Sequence, residues 1–257
     1  LKGFVPEIVA HTNNMYSYRM LTGKTMSKAT SFETFNKLLK YLQSFWKKTN
    51  LTDKQHIEFK QICENFYKEK THKRVQLYFD RFSENDCEEI INGNIIPSLN
   101  NMLKKINWDF ICDGIATRMH GDLHFENILV AETGDFYLLD WRQNFGGLYQ
   151  YGDIYYDLAK LLHGLIVSHE LINKDCFTVS QTDNVVTYDL YRKHSLVQNE
   201  KQFFDFLAAE GYDTYKVKLL TSLIFLNIAP LHHYPYSKML FYLGKEMLYN
   251  LLEYKNE

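Results

Sequence analysis

The stretch HGDLHFENILV, residues 120–130, constrains this chain more than any other part of the sequence. It places two histidines, two acids and an asparagine on one tight turn before an apolar run, and a second apolar run, FYLLD, ends on Asp140. The ETGD segment between the two runs is typical of a β-hairpin turn. Because a hairpin brings its two ends together, the spacing predicts that Asn127 and Asp140 lie side by side.

The residue types at this end of the hairpin favour metal and phosphate chemistry. The carboxylate of Asp140 and the amide oxygen of Asn127 are hard oxygen ligands that suit a magnesium ion, which also takes phosphate oxygens and water. Asp122 lies just outside that pair and is placed to accept a proton or to orient a hydroxyl group. This is the layout of phosphoryl transfer, in which positioning and charge neutralisation dominate.

Three motifs here carry a family resemblance. HGDLHFEN at 120–127 resembles the catalytic loop of the aminoglycoside phosphotransferase and choline kinase family, whose members are small-molecule relatives of protein kinases. LLDW at 138–141 resembles the second magnesium motif of that family, and GDIYYDLA at 152–159 is similar to the segment that follows it. The three occur in the family's order and on the predicted turn, strand end and helix start, so together they are specific.

The resemblance implies roles for individual residues. Asp122 would be the catalytic base, Asn127 and Asp140 would bind Mg²⁺, and ATP would be the phosphate donor. The hinge between the two lobes would follow the first extended segment. The backbone groups expected to meet the adenine ring there are those of Arg19, Met20 and Leu21.

Four further polar residues of these motifs are expected to support the site. His120 is predicted to form hydrogen bonds with backbone groups around the loop. His124 either lies near the phosphates or only packs against the turn. Asp157 is predicted to buttress the catalytic loop through hydrogen bonds. Asp153 precedes an apolar helical stripe and is predicted to cap that helix.

The pattern along the chain predicts an α+β fold that is protein-kinase-like, with a mainly helical large lobe and short central β-hairpins. Residues 1–22 are interpreted as a remnant of the small lobe with the hinge, and residues 23–257 as the catalytic lobe, with a hairpin insertion over 173–198. A helical segment interrupted by Pro97 is predicted between about 86 and 105. The resemblance implies a phosphate-binding lysine before the hinge; Lys2 is badly placed for it, so the small lobe is expected to be largely missing.

Aromatic residues cluster after the metal motif, where an acceptor molecule would bind. The candidate acceptor-binding residues are Trp141, Arg142, Tyr149 and Tyr151. Choline kinases resemble one another in carrying an acid where this chain has Arg142. An arginine there argues against a cationic acceptor and for an anionic or sugar-like one.

Composition excludes several other classes of protein. The net charge of −2 and a pI near 6.6 leave no basic patch of the size that nucleic acid requires. The four cysteines form no CxxC pair and are expected to be reduced thiols of a cytoplasmic protein. The most apolar stretch, residues 219–231, is too short to span a bilayer.

Two functions remain open from the sequence. The first is an ATP- and Mg²⁺-dependent phosphotransferase acting on a hydroxyl of a small molecule, a sugar or an amino alcohol, in surface polysaccharide or lipid head-group metabolism. The alternative is a non-catalytic nucleotide-binding domain of a larger protein, such as one fused to a nucleotidyltransferase. The sequence leaves the oligomeric state unknown.

Overall fold

The computed structural model describes residues 3–253, and within them many helices surround four small sheets, which confirms the α+β class. The chain begins with extended segments and then turns helical. The elements of this first part are β1 (Ile8–His11), β2 (Tyr16–Tyr18), β3 (Gly23–Thr25), α1 (Met26–Ala29), α2 (Phe32–Phe45), α3 (Asp53–Glu64) and α4 (Lys70–Phe82). A π-helical turn over Asn65–Glu69 joins α3 directly to α4.

The remaining elements surround the predicted site. They are β4 (Glu89–Ile91), β5 (Asn94–Ile96), α5 (Leu99–Lys105), α6 (Trp108–Cys112), β6 (Ala116–Thr117), β7 (Ile128–Ala131), β8 (Phe136–Leu138), β9 (Gly152–Asp153), α7 (Ile154–Ile166), α8 (His169–Ile172), β10 (Phe177–Thr182), β11 (Val185–Leu190), α9 (His194–Ala209), α10 (Thr214–Ile228) and α11 (Tyr236–Glu253). Short 3-10 turns lie at Phe125–Asn127 and Ala229–Leu231.

The helix starts follow the local chemistry of the sequence. The Ser31 side chain accepts a hydrogen bond from the backbone N–H of Thr34 and so caps α2. Thr52 forms a reciprocal capping box with Gln55 at the start of α3. Such caps satisfy N–H groups that have no partner inside the helix, and each contributes about 1 kcal/mol.

A three-stranded antiparallel sheet, in the order β3-β7-β8, holds the predicted catalytic hairpin. Ile128 pairs with Leu138 across β7 and β8, as the turn chemistry of ETGD predicts. Gly23 begins β3 and pairs with Ala131 of β7. A Cβ at Gly23 would lie 2.4 Å from the carbonyl oxygen of Val130, so glycine is required for this close approach.

Helix α7 runs behind this hairpin, and every one of its residues is buried. It packs against α9 and α10, and α10 packs in turn against α11. Residues of α2, α7, α10 and α11 therefore contribute to one continuous apolar core. That core fixes α7 as a rigid support directly beneath the HGDLHFEN loop.

The helical segment predicted between 86 and 105 is wrong in its first half. Asn92 and Gly93 both have positive φ and make the turn of a hairpin between β4 and β5. An Asn-Gly pair adopts this turn at little cost, which overrides the apparent helical spacing. The helix begins only at Leu99, after Pro97, and the Asp86 carboxylate accepts hydrogen bonds from its first N–H groups.

The hairpin expected within 173–198 consists of β10 and β11, with Asp183 at positive φ in its turn. Strand β11 also pairs in parallel with β4, so the second sheet has the order β10-β11-β4-β5. All four cysteines are free thiols, as expected. None of the helices described in residues 3–253 combines the length and apolarity that crossing a membrane requires.

Candidate active site

The HGDLHFEN loop turns sharply at Gly121, whose φ is +82°. A Cβ there would lie 2.6 Å from the Cβ of Arg142 and 2.8 Å from the Cε of Met119. Glycine is therefore needed both for the backbone conformation and for the close packing of the Arg142 side chain on the loop.

Asp122 lies at the centre of a network of polar side chains. Its Oδ1 is 2.8 Å from the Nζ of Lys160, a buried residue of α7. Its Oδ2 is 3.5 Å from the Nε2 of His124 and accepts a hydrogen bond of 3.4 Å from the amide of Asn127. The same amide also donates to the backbone oxygen of Asp122, at 3.0 Å. The carboxylate thus has a fixed position at the surface of the loop.

These partners determine the ionisation of Asp122. Burial alone would raise the pKa of this carboxyl, but the hydrogen bond from His124 and the charge of Lys160 outweigh burial and hold the pKa well below its usual range. Asp122 is consequently ionised at neutral pH. It can hold a hydroxyl group through a charge-assisted hydrogen bond.

His120 joins the loop to the end of β8. Its Nδ1 accepts a hydrogen bond of 3.1 Å from the backbone N–H of Asp122, and its Nε2 lies 2.7 Å from the carbonyl oxygen of Leu139. The ring is therefore the Nε2–H tautomer. Burial lowers the pKa of His120 to about 4, so the ring is neutral at physiological pH. It connects Asp122 to the residue before Asp140.

Asp157, on the first turn of α7, lies beneath the loop. Its carboxylate accepts hydrogen bonds from the backbone N–H groups of His120 at 2.8 Å and Gly121 at 2.7 Å, and from Nε1 of Trp46 at 3.1 Å. Burial raises the pKa of Asp157 to about 6, although the three donors act in the opposite direction. The predicted buttress thus has the contacts that such a role needs.

Asp153 caps α7, since its Oδ1 accepts a hydrogen bond from the N–H of Tyr155. Its other oxygen accepts a hydrogen bond of 2.8 Å from the hydroxyl of Tyr67. Burial raises the pKa of this carboxyl as well. His124 also caps a turn, because its Nδ1 accepts from the N–H of Glu126 while its Nε2 faces Asp122. His124 therefore both packs the turn and contacts the central carboxylate.

Asn127 and Asp140 meet at the end of the hairpin. The backbone oxygen of Asn127 accepts a hydrogen bond of 2.8 Å from the N–H of Leu139, which places Asp140 one residue beyond the paired strand. Asp140 is exposed and has φ +52°, so the chain leaves the strand in a left-handed turn there. The carboxylate of Asp140 forms no side-chain hydrogen bond or ion pair with the residues described.

A cleft of about 310 Å³ opens beside this end of the hairpin. The four acceptor candidates share its lining: Trp141, Arg142, Tyr149 and Tyr151. Tyr149 is 81% exposed, whereas Trp141 packs its indole 5.0 Å from the ring of His120. The volume is at the lower end of the range for small-molecule sites. The cleft therefore has the size of a small-molecule site, and its lining begins at Trp141, the residue after Asp140.

Comparison with known proteins agrees with this geometry. Residues 99–173 match the phosphotransferase enzyme family. The match confirms the resemblance that the three motifs indicate, and it covers less than a third of the 257 residues. No curated protein and no solved structure matches the chain. All of the polar residues placed around Asp122 above, except Trp46 and Tyr67, belong to this phosphotransferase segment.

The predicted hinge lies at a second opening, outside the phosphotransferase segment. A groove of about 640 Å³ runs between β1 and β8 and is lined by Pro6, Arg19, Leu21 and Tyr137, among others. Met20 is 88% exposed and does not line it. Arg19 forms an exposed ion pair with Glu7, at 3.5 Å. Of the three hinge candidates, two therefore face one groove.

The sequence interpretation missed Lys160. It lies one turn after Tyr156 and three residues after Asp157, on a helix that is buried on every side. A lysine inside such a helix needs a charged partner, because burying an unpaired ammonium group is costly. The apolar residues around Lys160 indicate a buried lysine that needs such a partner. The partner, Asp122, lies 38 positions earlier in the chain, so the local sequence does not identify it.

Proposed function

We propose that this protein transfers the γ-phosphate of ATP to a hydroxyl group of a small molecule. Two observations support the proposal: the amide of Asn127 donates a hydrogen bond to Asp122, and the backbone of Asn127 pairs with Leu139, the residue before Asp140, at one end of the β7–β8 hairpin. All three residues lie within the segment that matches the phosphotransferase family. On this proposal the fold is protein-kinase-like, the β1–β2 segment leads into the hinge, and the chain from Gly23 onward is the large lobe.

The donor set at the hairpin end fits a magnesium ion. The amide nitrogen of Asn127 is engaged by Asp122, which leaves its oxygen as the free ligand atom, and the carboxylate of Asp140 is exposed. Within residues 3–253, no three His, Cys, Asp or Glu side chains converge to hold a metal by themselves. The protein would therefore supply two oxygen ligands, and phosphate oxygens and water would complete the shell, as Mg²⁺ prefers. When bound, Mg²⁺ would neutralise charge on the phosphates.

Asp122 is suited to position the acceptor rather than to remove its proton early. Its pKa is too low for a strong base, but phosphoryl transfer passes through a loose transition state that needs little prior deprotonation. The acceptor oxygen forms a bond to the γ-phosphorus while the bond from that phosphorus to the bridging oxygen of ADP breaks. The hydroxyl proton passes to Asp122 late in the step. Lys160 keeps Asp122 ionised and oriented until then.

The adenine would bind in the groove of Leu21 and Tyr137. Tyr137 lies three residues before Asp140, so β8 connects this groove directly to the proposed metal ligands. The volume of about 640 Å³ accommodates a nucleoside. The acceptor would then enter from the opposite side, through the cleft of Trp141 and Tyr151.

The test is ATP turnover by the full-length protein against a panel of sugars, amino alcohols and hydroxy acids. Asp122→Asn should lower turnover by about 10²–10⁴-fold, the usual contribution of such a group, with an unchanged thermal unfolding profile. Full activity in this variant would contradict the assigned role. Magnesium-dependent ATP binding without turnover of any acceptor would instead favour the non-catalytic nucleotide-binding domain.

The magnesium ligands are tested separately by calorimetry of ATP binding. Asp140→Asn should weaken the Mg²⁺-dependent part of ATP binding. Asp183→Asn is a matched control, because Asp183 also occupies a turn at positive φ, far along the chain from the site. An equal effect of the two substitutions would show that the left-handed turn, and not the ligand, matters at Asp140.

A further inference from the structure

Two cations share one aromatic ring near the catalytic loop. The Nζ of Lys70 lies 4.3 Å from the centroid of the Phe66 ring, and the guanidinium carbon of Arg142 lies 5.0 Å from the same centroid. Lys70 is also 5.4 Å from the ring of Tyr156. An aromatic ring attracts a cation by about 0.5–2 kcal/mol, but it does not cancel the repulsion between two cations held beside it.

Among the described residues, no acid forms an ion pair with Lys70, which is partly buried, or with Arg142, which is exposed. Lys160, by contrast, is paired with Asp122. Burial lowers the pKa of Lys70 and Tyr156 raises it, but burial, together with the charges of Arg142 and Lys160, holds this pKa below its usual range. Burial would raise the pKa of Tyr156, but Lys160, Lys70 and Arg142 outweigh it and hold this pKa below its usual range. Positive charge is therefore in excess at this position.

This excess lies within reach of the proposed reaction. The side chain of Arg142 packs on Gly121, the residue before Asp122, and the backbone N–H of Arg142 donates to the backbone oxygen of His120 at 3.0 Å. Arg142 also lines the 310 Å³ cleft, together with Trp141 and Tyr151. The nucleotide groove of Leu21 and Tyr137 shares no lining residue with that cleft. Arg142 therefore lies on the acceptor side, and Lys70 lies close to it, over the same Phe66 ring.

We propose that the acceptor is an anionic alcohol, whose carboxylate or phosphate monoester is bound by Lys70 and Arg142 while its hydroxyl meets Asp122. The inference rests on the proposed phosphotransferase function and specifies its substrate class. An anion bound beside Lys70 and Arg142 would be the charge partner that neither cation has among the described residues. It would also orient the acceptor, since Arg142 can hold such a group through two parallel hydrogen bonds.

Matched acceptors that differ only in charge test the proposal. The full-length protein is assayed with ATP, Mg²⁺ and one of two series of acceptors. The first series is glycerol (neutral), glycerate and glycerol phosphate (anionic) and aminopropanediol (cationic). The second series is glucose (neutral), glucuronate and glucose phosphate (anionic) and glucosamine (cationic). We expect the anionic member of a series to exceed the neutral and cationic members by at least about 10-fold in kcat/KM, which corresponds to about 1.4 kcal/mol. Equal rates across a series, or a preference for the cation, would overturn the proposal.

Substitutions locate the anion site. Lys70→Met and Arg142→Met should each raise the KM of the anionic acceptor by about 10-fold more than the KM of the neutral acceptor of the same series, and neither should raise the KM of ATP. Lys70→Arg keeps the charge and should retain most of the affinity, which guards against a mere folding defect. Lys73→Met is the matched control, because Lys73 is exposed one turn further along the same helix.

Two outcomes separate this inference from the proposed function. A rise in the KM of ATP with an unchanged acceptor KM would assign the cations to the nucleotide phosphates and overturn the inference alone. If no acceptor turns over, binding of inorganic phosphate and glucuronate is measured directly by calorimetry. The inference is supported if the wild type and Lys73→Met bind the anion and Lys70→Met and Arg142→Met do not. It is overturned if the wild type binds the anion no more tightly than Lys70→Met and Arg142→Met. Failure of the proposed function itself would appear as absence of turnover with every acceptor, whether or not the protein binds ATP in the presence of Mg²⁺.

Discussion

The Nζ of Lys160 lies 2.8 Å from Oδ1 of Asp122, and this pair joins the buried helix α7 to the HGDLHFEN loop. The ammonium group is almost completely buried, whereas a third of the Asp122 side chain is exposed. Burial lowers the pKa of Lys160, but the charges of Tyr156 and Asp122 outweigh burial and leave that pKa raised. Lys160 is therefore a permanent cation beneath the loop, and we interpret it as a positioning residue for Asp122.

Lys160→Met should raise the pKa of Asp122, because it removes the charge and the hydrogen bond of Lys160, both of which lower that pKa against the effect of burial. The acid limb of the pH profile of kcat/KM should move upward by at least about one pH unit. Because the pKa of Asp122 is lower in the folded state than in the unfolded state, where it is about 3.9, the ionised group stabilises the fold at any pH above about 3.9. This contribution is lost as the pH falls through the pKa of the folded state. The stability difference between wild type and Lys160→Met should consequently narrow below about pH 4.

Lys174→Met is the control for this experiment. Lys174 forms an exposed ion pair of the same length, 2.8 Å, with Glu170, and exposed pairs contribute about 0–1 kcal/mol. The pH profile of kcat/KM for Lys174→Met should match that of wild type. An acid limb that stays in place in Lys160→Met would show that Lys160 only fills space beneath the loop.

His120→Asn should lower turnover by about 10–100-fold, the usual effect of losing a residue that orients a ligand or a base. The variant loses the hydrogen bond from Nε2 to the carbonyl oxygen of Leu139, so the loop is no longer fixed to the residue before Asp140. Because the pKa of His120 is about 4, the ring stays neutral and does not change its protonation state near neutrality. The shape of the pH profile between about pH 6 and 9 should therefore remain unchanged.

The measurement is the pH dependence of kcat for wild type, His120→Asn and the exposed control His56→Asn. A profile that loses one limb in His120→Asn would assign His120 a role in proton transfer, in conflict with its burial. Loss of turnover in His56→Asn would point to a general effect of the assay conditions.

The parts of the fold that follow local chemistry could be predicted from the sequence. The ETGD turn between two short apolar runs predicts the β7–β8 hairpin, and Asp153 before an apolar stripe predicts the start of α7. Turn and cap residues act through backbone groups a few positions away, so a single sequence contains the whole interaction. The same chemistry at Asn92 and Gly93 indicates a hairpin, but the apolar residues around them also fit a helix, and that weaker pattern misled the prediction.

The charge pairs of the candidate site could not be predicted in the same way. Lys160 pairs with Asp122 because the packing of α7 brings them together, and Lys70 meets Arg142 only through the ring of Phe66. Such contacts depend on the arrangement of helices, for which one sequence without tertiary information has no local signal.

Asp157→Asn should remove a pH-dependent destabilisation of the fold. Burial raises the pKa of Asp157 to about 6, above the unfolded value of about 3.9, so the folded state binds more protons between these values. The contribution of this group to stability therefore falls as the pH rises from about 4 to 6, by roughly 3 kcal/mol in total. The difference between the wild-type and Asp157→Asn stability curves, measured by urea unfolding, should show this slope.

The difference curve is needed because other groups act in the opposite direction. Burial lowers the pKa of His163 well below its usual range, and that effect destabilises the fold as the pH falls. Asp205→Asn, at an exposed position of α9, should give a flat difference curve. A flat curve for Asp157→Asn would mean that the hydrogen bonds from His120, Gly121 and Trp46 overcome the cost of burial.

Lys245→Met should destabilise the protein by about 3–5 kcal/mol, because it leaves the buried carboxylate of Glu89 without its cation. The Nζ of Lys245 lies 2.5 Å from Oε2 of Glu89, and the hydroxyl of Tyr242 donates to Oε1 at 3.0 Å. These contacts join α11 to β4, the strand that connects the two hairpins of the second sheet.

The double variant Lys245→Met with Glu89→Leu removes both charges and should recover most of the lost stability, since replacing a buried ion pair by apolar groups is often neutral. Urea unfolding of the single and double variants measures both values, and a double variant no more stable than Lys245→Met would show that packing around Lys245, and not its charge, holds the sheet to α11.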